Sequence, residues 1–305
     1  MKDIDLLAIV LKLRPLIEKP RKAANWYGRA AQALLYACVN AYDPALGSWL
    51  HGSASEDKPF SAGGNFPGGR VLEVQHGSAN EDKPFSASTL IGSFAGGKLH
   101  PHKEYYLRVC GLNPALEDIL YRAIQPGGHF GVGTVIDMDQ VPFLIEDVFW
   151  KQSDHWLARF SSYGLLRDHF FQTKAGEYGR MRIDFQKCPL IAQQTNGSFN
   201  PLITPAFIFE SLTRKWNSHA PQAVTGDLGA FLQEETYISA FEMRSQPVQM
   251  EGLVMGAKGF IELSSRALEA PEWSALMMLA AFGFYSGVGK NTTRGFGQIT
   301  AEFKK

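Results

Sequence analysis

Leu6 to Leu13 is an almost unbroken apolar run, bounded by Asp5 and by Arg14-Pro15, and it predicts a strand covered on both faces. A helical pattern follows from about Ala23 to Tyr42, where Tyr27, Ala31, Leu34, Cys38 and Ala41 recur at helical spacing as an apolar stripe. Arg29, Gln32, Tyr36 and Asn40 line the opposite face, which places Tyr36 away from the predicted core. Asp43-Pro44 ends that helix. Ser86–Ile91 and Glu104–Cys110 read as strands; in the second, Tyr105, Leu107 and Val109 alternate with Tyr106, Arg108 and Cys110. Asn113-Pro114 offers an N-cap and a first-turn proline to a helix with Leu116, Ile119, Leu120 and Ala123 on its apolar face. Pro126-Gly127-Gly128 stops it, and Thr134–Ile136 is the predicted closing strand.

A second, looser cycle has the same rhythm. Met181, Ile183 and Phe185 alternate with Arg180, Arg182 and Asp184, and Thr204-Pro205 opens a helix through Trp216. Thr236–Arg244 and Leu253–Leu263 read as strands paired across Pro247–Gly252. Pro271 starts a helix with the stripe Trp273, Met277, Ala280 and Phe284, and Gly295–Phe303 is the last strand. Each cycle is β-α-β-β-α-β. The expected fold class is therefore α+β, two tandem ferredoxin-like (RRM-like) βαββαβ domains, over residues 1–140 and 141–305.

The length of 305 residues suits two cores of roughly 150 residues better than one. The apolar runs fall far short of the ~20 residues a membrane helix needs, and Asp3 and Asp5 stand where a secretory leader would be basic. Cys38, Cys110 and Cys188 are far apart and form no Cys-x-x-Cys, against both zinc and a disulfide framework. A cytoplasmic location is expected. Thirty basic residues balance thirty acidic ones, so a polyanion partner requires local clustering of Lys and Arg.

One stretch is written twice. Residues 51–62, HGSASEDKPFSA, return at 76–87 as HGSANEDKPFSA, differing only at Ser55 versus Asn80. Each copy sets a histidine seven positions before Lys-Pro-Phe-Ser: His51 with Lys58, and His76 with Lys83. An imidazole and an ammonium held near one phosphate can move a proton and absorb developing charge. The alternative for each is a solvated loop residue. The final helix runs into GVGKNTTRGFG, Gly287–Gly297, where glycines permit sharp turns and Lys290, Thr292, Thr293 and Arg294 offer charge and hydroxyls. Gly289-Lys290 is followed by Asn291, so this is no Walker loop, and no G-x-S-x-G or H-E-x-x-H exists. Tyr105, Tyr106 and Arg108 are candidates either for base stacking or for packing under helices. His100 and His102 lack a third ligand nearby, and His129, His155, His169 and His219 are isolated.

The run ALLYACVNAYDPALGSWLHG (33–52), the KPFSASTL at 83–90, PAFIFESLTRKWN (205–217) and GFYSGVGKNTTRGFGQI (283–299) together resemble the CRISPR-associated repeat-processing endoribonucleases, a branch of the RAMP superfamily. That resemblance implies metal-independent cleavage of precursor CRISPR RNA, in which a ribose 2′-hydroxyl attacks the adjacent phosphate and leaves 2′,3′-cyclic phosphate and 5′-hydroxyl ends. It implies a Tyr/His/Lys trio, carried here by Tyr36, His51 and the lysine of Lys-Pro-Phe-Ser. Upstream context selects His51 and downstream context Lys83, with His76 and Lys58 as alternates. It also implies RNA contact by Gly287, Gly289, Lys290, Thr292, Arg294, Gly295 and Gly297. The implied partners are CRISPR repeat RNA and a CRISPR effector complex, with no cofactor, nucleotide or membrane. The rival reading is a RAMP-type subunit that holds guide RNA without cutting it.

Overall fold

The computed structural model describes residues 4–52, 83–94, 97–193, 199–249 and 252–305. Its first sheet is built on β1 (Leu6–Pro15), followed by α1 (Gly28–Tyr42), α2 (Pro44–Gly52), β2 (Phe85–Ala87), β3 (Tyr105–Gly111), α3 (Pro114–Ala123) and β4 (Pro142–Phe149). The strand order is β2-β3-β1-β4, all antiparallel, with Ile9 opposite Val109 on one side of β1 and Leu13 opposite Ile145 on the other. The second unit repeats the plan with β5 (Arg180–Asp184), α4 (Pro205–His219), β6 (Thr236–Gln249), β7 (Leu253–Ser265), α5 (Pro271–Ser286) and β8 (Thr300–Lys304), ordered β6-β7-β5-β8. Both are ferredoxin-like βαββαβ units in tandem.

Three details depart from the pattern in the sequence. The strand that closes the first sheet against β1 is β4; Val135–Asp137 adds outside it as an edge. Periodicity favoured the earlier segment because Pro142 opens β4 and its polar residues Glu146 and Asp147 interrupt the apolar run. Arg159–Ser161 also pairs with Leu6–Ala8, so first-sheet strands run to Ser161 and the second sheet starts at Arg180. The last strand is only Thr300–Lys304, because Gly295 and Phe296 are buried in the loop before it.

The unbroken apolar run of β1 is explained by what lies on each side. Leu7, Ile9, Leu11 and Leu13 face the core shared with Leu35 and Val39 of α1 and with Leu116 and Leu120 of α3. Leu6, Ala8 and Val10 share the other core with Leu276, Leu279 and Ala280 of α5. That helix is thus covered on one side by the first sheet and on the other by Met181, Ile183, Ile261 and Leu263 of its own. It shows no stripe, since nearly every residue from Trp273 to Ser286 is buried, as expected of a helix enclosed all round. Asn113 caps α3 by accepting from the Leu116 amide at 2.9 Å, and Thr204 caps α4 through Phe207 at 3.2 Å.

Candidate functional site: a cationic cluster between the units

Gln32 and Tyr36 stand one helical turn apart on α1, on the face that the sequence pattern assigns to solvent. That face is covered: Tyr36 is 9% exposed and Gln32 8%. Two segments from far along the chain close over it, namely Lys83-Pro84-Phe85 leading into β2 and the glycine-rich loop after α5. The Phe85 ring meets the Tyr36 ring edge-on, with centroids 5.7 Å apart and planes at 83°. The Lys83 ammonium donates to the phenol oxygen of Tyr36 and, at 3.1 Å, to the carbonyl of Leu50. Leu50 is the residue directly before His51, so the lysine of the second copy stands beside the backbone that carries the histidine of the first.

The loop's own shape comes from left-handed backbone at Gly287, Gly289, Asn291, Gly295 and Gly297. A side chain at Gly297 would put Cβ 2.1 Å from the Val288 carbonyl, and one at Gly295 would stand 2.6 Å from the Thr89 amide. Lys215 of α4, 1% exposed, gathers the loop from beneath: its ammonium donates to the carbonyls of Ser286 (3.2 Å) and Gly287 (3.1 Å) and to the Thr292 hydroxyl (3.2 Å). Cys188 donates to the Gly295 carbonyl and Trp26 stacks on Phe296 with centroids 4.3 Å apart. At the tip, Gln32 Nε2 donates to Thr293 Oγ1 at 2.8 Å, and Arg294 Nε donates to Gln32 Oε1 at 3.1 Å. The Trp26 indole donates to the Arg294 carbonyl at 2.7 Å. The loop is a seat for the first unit as much as a surface.

The electrostatics are one-sided. Burial, and secondarily the nearby Arg294 guanidinium, pull the Lys83 ammonium down from 10.5 to about 8. Burial raises the Tyr36 phenol, while Arg294 and the Gln32 amide pull it partway back. None of these shifts has a carboxylate among its causes. At neutral pH the cluster therefore carries a lysine that is still roughly 90% charged, an arginine and a neutral phenol, a combination suited to an anion. Among the described residues no group of three His, Cys, Asp or Glu stands together as metal ligands would.

The structure thus brings Tyr36, Lys83 and Arg294 into one cluster. His76 and Lys58 lie outside the described residues, as does the side chain of His51, whose backbone closes α2. Of the loop, Gly287, Gly289, Thr292, Gly295 and Gly297 are buried, and the Thr292 and Thr293 hydroxyls face protein partners, whereas Lys290 and Arg294 are half-buried. Tyr105 and Arg108 are fully buried, and Tyr106 donates to Glu104 at 2.9 Å, so packing is their observed role. Sequence reasoning did not single out Gly28, Lys215 or the cross-chain role of Gln32; only the spacing of Gln32 four residues before Tyr36 pointed toward it. A cavity of about 400 Å³ opens between the units, with Trp156, Lys187, Lys258 and the buried Arg108 among its lining residues.

The chain is two ferredoxin-like units in tandem, with a glycine-rich loop after the last helix seated on the first unit. Residues 183–299 match the family model described as CRISPR-associated endoribonuclease Cas6. Over its whole fold the chain is similar to Thermus thermophilus Cas6 (TTHB231) in a product complex, with a TM-score of 0.70 and 23% identity, covering 98% of this chain and 99% of that one. A product complex of a second Cas6 (TTHA0078) gives 0.67 at 21% identity, covering 97% and 99%. A RAMP protein described as binding different RNA substrates gives 0.54 at 12% identity, covering 97% and 99%. No curated protein matches the sequence. Among the described residues no helix is long and apolar enough to cross a membrane.

Proposed function

We propose that the chain is a Cas6-type endoribonuclease that cuts precursor CRISPR RNA within its repeats, in the cytoplasm. In this reading the ribose 2′-oxygen forms a bond to phosphorus as its proton passes to a base. The bond from phosphorus to the 5′-oxygen breaks, and that oxygen takes up a proton. The ends left are a 2′,3′-cyclic phosphate and a 5′-hydroxyl. Histidine supplies the proton transfer: His51 is the first candidate and His76 the alternate, imidazole being the side chain best suited to accept and return a proton. Lys83 and Arg294 take up charge on the non-bridging oxygens, and Tyr36 hydrogen-bonds the phosphate.

The observation that carries this reading is the Lys83 contact with both Tyr36 and the Leu50 carbonyl. It joins the tyrosine, the lysine and the backbone of the histidine into one place, although they are distant along the chain. The donor set favours direct stabilisation by protein cations: hard divalent ions prefer carboxylate oxygens, and the cluster's charge comes from Lys83 and Arg294. RNA flanking the cut follows the cavity between the units, where Lys187, its ammonium 3.2 Å over the Trp156 ring, and Lys258 offer phosphate contacts.

The test is incubation of purified protein with repeat RNA in EDTA. The expected product carries a 2′,3′-cyclic phosphate. Tight binding that leaves the RNA intact overturns cleavage and leaves an RNA-holding subunit of the same architecture.

A further inference from the structure

Arg21-Lys22 and Lys98-Leu99 form a short antiparallel ribbon in which Lys22 stands opposite Lys98. Opposed residues share a face and neighbours along a strand alternate, so the ribbon has two different sides. Leu99 turns into the first core and Arg21 donates to the Gln140 carbonyl at 3.0 Å. Both lysines are therefore sent to the other side, where they are exposed. Like charges facing each other across a ribbon cost stability. Among the described residues no Asp or Glu forms an ion pair with either of them. Lys19 and Lys103, close by on the same two segments, are exposed as well. In a chain whose acidic and basic residues balance, this is the local clustering that a polyanion partner requires.

A cavity of about 620 Å³ has Lys22 and Lys98 among its lining residues, together with Trp26, Tyr27, Leu90 and Phe94. That volume is in the range of ligand sites. Two contacts tie the cavity to the cleavage cluster. The Trp26 indole donates to the Arg294 carbonyl at 2.7 Å. Thr89, which accepts from the Tyr27 amide at 3.2 Å, lines both this cavity and the one between the units. Cations beside aromatic walls hold single-stranded nucleic acid, because the charges neutralise phosphates and the rings stack on bases of any sequence.

We infer that the ribbon and its cavity form a subsite for an unpaired nucleotide of the RNA, with the base against the aromatic walls and the phosphates on Lys22 and Lys98. This rests on the nuclease reading above and carries the path of the strand past Thr89. An acidic peptide would match the lysines alone, whereas an unpaired nucleotide uses the lysines, the rings and the junction with Arg294.

Lys22→Gln with Lys98→Gln removes both charges from exposed positions, so the melting temperature should hold or rise. Affinity for fluorescein-labelled repeat RNA should fall roughly tenfold or more at moderate salt. The slope of log affinity against log salt should shrink by about 1.4, two single-strand phosphate contacts at about 0.7 each. Lys174→Gln with Lys305→Gln subtracts the same charge where both lysines face Glu177, at 2.6 and 3.0 Å, and should leave affinity and slope near wild type. Equal losses in the two double variants, or no loss in the first, overturn the inference and return the ribbon to an acidic partner.

The base is tested separately. Ala23 also lines the cavity, and Ala23→Trp would fill it. An abasic residue moved along the unpaired part of the RNA should cost the wild-type chain about five- to a hundredfold in affinity at one position. At that position it should cost Ala23→Trp almost nothing. The absence of any sensitive position, or an equal penalty in Ala23→Trp, removes the base subsite. All of these are binding measurements. A wild-type chain that leaves the RNA intact ends the nuclease reading without touching them, and a cutting wild type with an unaltered ribbon variant ends this inference alone.

Discussion

The ammonium of Lys83 donates to the phenol oxygen of Tyr36 across a separation of 47 residues, and both side chains are buried where α1 meets the second unit. Removing either partner tests the cluster directly. Tyr36→Phe deletes the hydroxyl and keeps the ring against Phe85, so single-turnover cleavage should fall roughly tenfold to a hundredfold with RNA affinity nearly unchanged. Lys83→Met removes charge where it is needed and should lose about 10²–10³-fold. Cleavage at wild-type rates by both variants would move the active site elsewhere.

The same lysine should cost stability. Its folded value of about 8 lies below its ordinary 10.5. The unfolded chain therefore holds the proton to higher pH, and the penalty is full below about 8 and fades toward 10.5. Stability from this group rises with pH across that window. The shift corresponds to about 3 kcal/mol, partly offset by bonds to Tyr36 and Leu50. Lys83→Met should be more stable at pH 7 by about 1–2 kcal/mol in denaturant titration while cleaving poorly.

Cleavage should also decline on the alkaline side as Lys83 loses its proton near pH 8. Guanidinium stays charged throughout this range, so Lys83→Arg should lose that alkaline limb whatever its absolute rate. A pH–rate profile of Lys83→Arg with the limb unchanged would assign it to another group.

Because Lys83 reaches the carbonyl of Leu50, the histidine next in chain is the expected proton carrier. His51→Ala should slow cleavage about 10²–10⁴-fold, and His76→Ala should stay near wild type. Gel assays of the two variants decide between the copies, and the reverse result assigns the chemistry to His76.

Gly28 is where the loop and α1 touch. A Cβ there would lie 1.7 Å from the Arg294 carbonyl and 2.6 Å from the Trp26 indole nitrogen, so Gly28→Ala should cost about 3 kcal/mol and lower the melting temperature. Gly127, with φ of +79° and nothing within 4 Å, is the control: Gly127→Ala should lose about 1 kcal/mol. Equal melting temperatures for the two variants would mean the seat of the loop yields at little cost.

The βαββαβ order of both units was legible because it rests on local chemistry. The double-sided apolar run of β1, the Asn113 and Thr204 caps, and the alternation in β3 and β5 each follow from residues within a few positions of one another. The glycines of the last loop likewise announced sharp turns, and all of Gly287, Gly289, Gly295 and Gly297 take left-handed backbone. Tyr36 and a lysine of Lys-Pro-Phe-Ser were candidates from sequence alone. Periodicity, however, reports only whether one helix can present an apolar face, not what arrives to cover the other. The polar stripe of α1 therefore read as solvent-facing, yet Gln32 and Tyr36 are buried by Lys83 and by a loop more than 250 positions later, as the Gln32–Thr293 separation of 261 shows. That Lys83 reaches Tyr36, and that Arg294 donates to the Gln32 amide of the other unit, depend on long-range packing between units and so were decided only in three dimensions.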